Sequence, residues 1–227
     1  MSERVLTVEE LRVALPVPAG TLNAVQGVSF HVDRGETVCI VGESGCGKTL
    51  TALAIMDLLP ARAKRTAARL ELEGRDLTRV GERAMSDVRG NRMAMIFQEP
   101  MTSLNPAYTI GNQLEEALLR HRRMPRGKAR ERAVYLLDRV GITAASSRLK
   151  QYPHQLSGGL RQRVMIAMAL MCGPSLILAD EPTTALDVTI RRRSCTCWLS
   201  CSASSPWASC SSRMTSASSR ASRPASW

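Results

Sequence analysis

A chain of 227 residues can bury a core of its own, and 44% hydrophobic with 22% charged residues matches neither a disordered nor a membrane-embedded composition. No apolar run approaches the roughly 20 residues that span a bilayer, and Met1-Ser2-Glu3-Arg4-Val5 leads into no cleavage site, so the expected compartment is the cytosol. The net charge of +11 invites a nucleic-acid partner; residues 191–227 contribute six Arg and no acid, however, leaving +5 for residues 1–190, and no nucleic-acid partner is expected.

In chain order, residues 37–42 (Thr-Val-Cys-Ile-Val-Gly) form a short apolar run ending at a glycine, which predicts a buried strand. A helix is predicted from Thr49 to Leu59, stopped by Pro60. Met93 to Phe97 and Leu176 to Ala179 are short apolar runs suited to central strands covered on both faces. Between them, residues 110–141 carry apolar residues at three- and four-residue spacing (Leu114, Ala117, Leu118, then Ala133, Leu136, Leu137, Val140), and Arg163 to Met171 is a further helical stretch. Alternating strands and helices predict a parallel α/β sheet, here with a helical insert. From residue 191 no period can be followed, and Ser, Cys, Arg, Trp and Ala dominate. Cysteines 195, 197, 201 and 210 lack the paired spacing of a zinc site.

Three motifs carry chemistry. Gly42-Glu43-Ser44-Gly45-Cys46-Gly47-Lys48-Thr49 matches G-x-x-x-x-G-K-[ST] between a predicted strand and a predicted helix. Its glycines let backbone N–H groups curl around phosphate oxygens, Lys48 reaches the β and γ phosphates, and the Thr49 hydroxyl can ligate Mg²⁺. The run Leu176 to Ala179 delivers Asp180 and Glu181 at a strand's C-terminal end, with Asp180 placed to bind Mg²⁺ directly or through water and Glu181 to polarise the attacking water. Ser157-Gly158-Gly159 precedes a helix and offers free N–H groups and a hydroxyl to a second anion.

In order and spacing, the phosphate loop, Gln98, Leu156-Ser157-Gly158-Gly159-Leu160-Arg161-Gln162 and the Asp180-Glu181 segment, which ends in Ala185-Leu186-Asp187, resemble ABC ATPase domains. The stretches from Ile96 to Pro106 and from Tyr152 to Gly159 resemble the dipeptide, oligopeptide and nickel importer branch, and the likeness covers residues 5 to about 190. It implies a P-loop NTPase core of 1–98 and 157–190, interrupted by a helical subdomain at 99–156. It implies an ATP-hydrolysing subunit that energises uptake of peptides or a similar small solute, with ATP and Mg²⁺ as cofactors. Two such domains would pair head to tail as a homo- or heterodimer, so that Ser157, Gly158 and Gly159 of one cap the ATP held by Lys48 of the other. Gln98 would sense the γ-phosphate and Mg²⁺, and Asp187 would lie at the dimer interface. The helical segment would touch integral membrane permease subunits, placing the chain peripherally on the cytoplasmic face, with an extracytoplasmic solute-binding protein as an indirect partner.

Two departures stand out. Leu22 occupies the position where many relatives stack an aromatic ring on adenine, and none of His31, His121 and His154 can be the switch His that the resemblance places beyond Asp187. Residues 191–227 are therefore expected to be an aberrant, unstructured tail, leaving the fold C-terminally incomplete and hydrolysis impaired. A shifted reading frame accounts for it: Met214-Thr215 forces an Asp codon, the codon before it can encode His, and Ala208 to Ser212 can encode an apolar strand. The alternatives are the non-functional product of a disrupted gene, separable by the nucleotide sequence near codon 190, and a DNA-repair ATPase, which would show long heptads or zinc modules.

Overall fold

The computed structural model describes residues 3–99, residues 103–180 and the backbone of residues 208–213. Two sheets organise the molecule. The first is antiparallel, built on the long hairpin β1 (Arg4–Val17) and β2 (Gly20–Asp33), and continues from β1 through β5 (Arg69–Leu72) to β6 (Arg75–Asp76), with β4 (Lys64–Thr66) also pairing with β1. The second is parallel, in the order β3 (Thr37–Val41), β9 (Ala208–Arg213), β8 (Leu176–Asp180), β7 (Met93–Ile96).

The parallel sheet is buried on both faces, as its apolar strands require. In β8, Leu176 and Leu178 join the core beneath the antiparallel sheet, while Ile177 and Ala179 join the core beneath the helical segment. Met93 faces the first of these cores from β7, and Ala94 and Ile96 face the second. One side of the sheet therefore carries α1 (Lys48–Met56) and the β1–β2 hairpin. The other carries α3 (Ile110–Arg122), α4 (Arg126–Arg139) and α6 (Gly158–Leu170). The helix α2 (Glu82–Val88) leads into β7, and the short α5 (Ala145–Arg148) closes the helical segment.

The helices follow the predicted periods. Ile110, Leu114 and Leu118 are buried along one stripe of α3, and Ala129, Ala133, Leu136 and Leu137 along one stripe of α4. Each fully buried Leu contributes about 1.5–3 kcal/mol relative to exposure. A single stretch over 110–141 is broken in two because Arg123 adopts a left-handed φ of 47° and Pro125 caps the second helix. α1 ends three residues before the predicted Leu59: Asp57 takes φ 55°, and its N–H and that of Leu58 return to Ala54 O and Leu53 O. α6 begins five residues before Arg163, because the helix starts on the two glycines directly after Ser157.

One expectation needs correction. The tail from 191 is not unstructured throughout, since Ala208–Arg213 forms β9 between β3 and β8, parallel to both. With strands spaced about 4.8 Å apart, β3 and β8 face each other across one strand width. Their inner edges would otherwise bury unpaired N–H and C=O groups, and a ladder made of backbone bonds asks little of the sequence that fills it. These residues coincide with those to which the shifted reading assigns a strand.

Candidate nucleotide site

The loop between β3 and α1 is shaped by two glycines in the left-handed region, Gly45 with φ 83° and Gly47 with φ 89°. Gly47 is fixed by more than its dihedral. A Cβ there would lie 2.5 Å from the carbonyl oxygen of Ala24 and 3.2 Å from Val25, so the loop rests directly on β2. A Cβ on Gly42 would meet Cys46 Sγ at 2.5 Å, so a larger residue there turns that side chain aside, whereas at Gly47 the obstacle is backbone. Around Gly45 no atom lies within 4 Å of such a Cβ, and the loop opens outward there.

Lys48, only 6% exposed, donates from Nζ to Gly42 O at 2.8 Å and Glu43 O at 2.7 Å, with Cys46 Sγ at 3.6 Å. Its ammonium is thereby held inside the curl of the loop. The loop's own backbone bonding is sparse: Cys46 N–H donates to Glu43 O at 3.3 Å. Among the described residues, the N–H groups of Ser44, Gly45, Gly47 and Lys48 have no acceptor. Free N–H groups, a helix N-terminus and a buried ammonium converging on one concavity form an arrangement suited to phosphate. Thr49, exposed on the first turn of α1, leaves its hydroxyl available to a cation.

The parallel sheet gathers the other residues at the same edge. Asp180, 3% exposed, ends β8 beside the end of β9, where it registers with Ser212; Arg213 in turn registers with Val41, the residue before Gly42. Asp180 and the start of the loop are thus two strand spacings apart, about 10 Å. Gln98 is exposed two residues beyond Ile96, which pairs with Ala179. Lys48, Thr49, Asp180 and Gln98 therefore share the C-terminal edge of one sheet, where open α/β sheets bind ligands. Mg²⁺ fits this donor set, which combines a hydroxyl, a carboxylate and an amide oxygen. Among the described residues no group of three or more His, Cys, Asp or Glu could hold a metal on its own. Glu181 and Asp187 lie outside the described residues.

Ser157, Gly158 and Gly159 are not brought to this edge's loop. Ser157 directly precedes α6, which packs in the helical core on the face of the sheet opposite α1. Both Ser157 and Gly158 are exposed, no side chain caps the helix, and a Cβ on Gly158 would meet nothing within 4 Å. Leu22 is 51% exposed on β2, two residues before Ala24 and paired with Leu15. His154 sits in the turn Pro153–Gln155 with its ring stacked on Tyr152 at 5.6 Å, as a polar loop residue. His31 lies on β2 and His121 near the end of α3. Two site features were missed in the sequence: the seating of Gly47 on Ala24, and the face-to-face separation of α1 from α6. The first leaves no signal in a motif read along one segment, and the second follows only from which face of β8 each helix covers.

A profile described as "ABC transporter" matches residues 25–184. The chain belongs to the ABC transporter family. This ABC chain is 54% identical over 190 residues to "Dipeptide transport ATP-binding protein DppD" of Bacillus subtilis (strain 168), covering 83% of the chain and 57% of that protein. It is 50% identical over 186 residues to "Dipeptide transport ATP-binding protein DppD" of Escherichia coli (strain K12), covering 82% and 57%. The chain thus spans a little over half the length of the relatives it matches. Among solved structures, the dimeric ATP-binding cassette MJ0796 in "a post-hydrolysis state" bound to ADP and Pi superposes with a TM-score of 0.79 at 25% identity, over 93% of this chain and 88% of that one. The P-loop NTPase core of ABC ATPases, read from the motifs, is thereby established, and nothing in these relatives supports the DNA-repair or disrupted-product readings.

Proposed function

We propose that this ABC chain binds ATP with Mg²⁺ in the 42–49 loop and serves as the ATP-binding subunit of an importer of peptides or similar solutes. The observation that carries the reading is the loop itself, with four free N–H groups around a Lys48 ammonium already drawn into the curl. Gly42, Glu43, Ser44, Gly45, Cys46 and Gly47 supply backbone to the phosphates, and Lys48 neutralises β and γ oxygens. Thr49, Asp180 and Gln98 hold the cation, which when bound draws charge from the phosphate oxygens and leaves the γ-phosphorus more open to attack. Glu181 polarises the attacking water. Half-identity to peptide-transport subunits over residues of this core supports the solute class.

Because Ser157-Gly158-Gly159 lies across the sheet from α1, a second subunit supplies those three residues to the nucleotide, and the dimeric cassette among the structural neighbours supports that pairing. No helix among the described residues is long and apolar enough to cross a membrane, which supports peripheral attachment at the cytoplasmic face through permease subunits, with a solute-binding protein beyond them. None of the three His residues lies at the C-terminal edge of the parallel sheet, so turnover is slow relative to binding. Calorimetric titration with Mg-ATP tests the reading: the chain binds, and Lys48→Ala weakens binding at least a hundredfold. Equal binding by both would place the nucleotide elsewhere.

A further inference from the structure

The turn that precedes α6 is fastened by a side chain from inside the helix. Arg161, one turn into α6, donates from Nε to Pro153 O at 2.7 Å and to Leu156 O at 3.0 Å, and its backbone N–H donates to Ser157 O at 2.9 Å. Helical side chains lean toward the N-terminus, so residue 161 is placed to reach back over the start of its own helix. The far anchors are firm. Pro153 and Leu156 are buried, Leu156 within the helical core, and the turn between them is closed by Leu156 N–H on Pro153 O and by Gln155 Oε1 accepting from Tyr152 N–H. Arg161 therefore ties Ser157, from both sides, to a part of the chain that is packed into the core.

Ser157 stands where a serine hydroxyl ordinarily caps a helix by accepting from an N–H of the first turn. That bond is not made here, and the N–H groups of Ser157, Gly158 and Gly159 have no acceptor among the described residues. Two of these three residues are glycines, and a Cβ on exposed Gly158 would meet nothing within 4 Å, so packing does not hold the segment in shape. Donors that must be ordered at the moment of binding lose affinity to conformational entropy, whereas donors already held in place do not. In the absence of a hydroxyl cap, the bonds from Arg161 fix the start of the helix, and they occupy no donor of Ser157, Gly158 or Gly159.

We propose that Arg161 is a positioning residue for the nucleotide contact of Ser157, Gly158 and Gly159, holding their donors in place for the ATP bound by a second copy of this chain. The inference rests on the proposed pairing of subunits. Sedimentation equilibrium of the full chain in saturating Mg²⁺ and a non-hydrolysable ATP analogue measures the pairing, and fluorescence titration of a labelled analogue on dilute chain measures the 42–49 loop alone. Arg161→Met keeps the length of the stem and removes the donor; it weakens association at least tenfold while affinity at the 42–49 loop stays within twofold of the parent. Arg161→Gln sets a neutral amide N–H at the position of Nε, and association returns to within threefold of the parent. Arg163→Ala removes a bond from the same helix to Gly141 O at 2.8 Å; it lowers the urea midpoint and leaves association within twofold.

Association of Arg161→Gln as weak as that of Arg161→Met would overturn the proposal, since charge and not placement would then carry the effect. Equal losses in Arg161→Met and Arg163→Ala would reduce it to the general stability of α6 and overturn it as well. Amide hydrogen exchange gives a second reading within a single chain: Arg161→Met speeds exchange at residues 157–160 at least tenfold and leaves residues 164–170 within twofold, and unchanged exchange at 157–160 would overturn the proposal. A parent that binds the analogue and stays unpaired would sink the pairing, and this inference with it. A parent that pairs while Arg161→Met pairs equally well would sink this inference alone.

Discussion

Gly45 and Gly47 share a left-handed φ, 83° and 89°, and differ in what surrounds them. Replacing either with Ala imposes about 1–2 kcal/mol for a Cβ in that region, partly offset by about 0.4–1 kcal/mol from the less flexible unfolded chain. For Gly45→Ala the account ends there, at about 1 kcal/mol, because no atom lies within 4 Å of the new Cβ. For Gly47→Ala the Cβ meets Ala24 O at 2.5 Å, and that carbonyl belongs to a strand held by the pairs Ala14↔Asn23 and Val13↔Val25. Restoring ordinary contact moves the loop or β2 by about 1 Å, and such overpacking costs about 1–3 kcal/mol. Gly47→Ala is therefore about 2 kcal/mol less stable than Gly45→Ala, about 30-fold in the folding constant. Urea unfolding reads this directly, as a lower midpoint at unchanged slope. Equal midpoints for the two variants would refute the claim that the loop is seated on β2.

Arg65, only 10% exposed in its side chain, donates to Ala54 O, Leu77 O and Thr78 O and pairs with Asp57 at 3.4 Å, so Arg65→Ala leaves buried acceptors unmet and costs about 2–4 kcal/mol by urea unfolding. His121 is held below its ordinary pKa of 6.5 chiefly by burial, then by Arg120 and Arg122, against the opposing pull of Asp87 and the Arg89 backbone. The folded state therefore favours the neutral ring: below pH 6.5 the unfolded chain takes up the proton first, and stability falls as pH drops through that window. His121→Gln flattens the pH profile there, and an unchanged slope would contradict the assignment. Burial pushes the Cys172 thiol up, so a thiol-alkylating reagent at neutral pH modifies half-buried Cys46 before Cys172 in the native chain, as peptide mass analysis would show.

The parallel core and the phosphate loop were legible because their signals are local: an apolar run, fixed glycine spacing and a lysine that must follow. Asp180 was legible for the same reason, as a carboxylate at the end of an uninterrupted apolar run. The antiparallel sheet was not. Its long strand β1 buries Val5, Leu6, Val8, Leu11 and Val13, and that irregular spacing comes from register shifts between Val8 and Leu11 and again around Arg12, with Glu10 at φ 51°. A bulge advances the face by one residue, so the alternation that announces a strand is lost although every segment of it is paired. The early end of α1 was hidden for a related reason. Arg65 on β4 and Arg89 after α2 take the carbonyls of Ala54, Met56 and Asp57, partners that no helical pattern reveals.

Backbone amide hydrogen exchange across residues 43–49, with and without Mg-ATP, tests the central claim most directly. The N–H groups of Ser44, Gly45, Gly47 and Lys48 have no acceptor in the described chain, so they exchange readily until phosphate oxygens cover them. Saturating Mg-ATP slows exchange in this segment at least tenfold, and Lys48→Ala abolishes the effect at the same nucleotide concentration. Binding of ATP that protects another segment and leaves 43–49 unchanged would contradict the assignment of this loop as the nucleotide site.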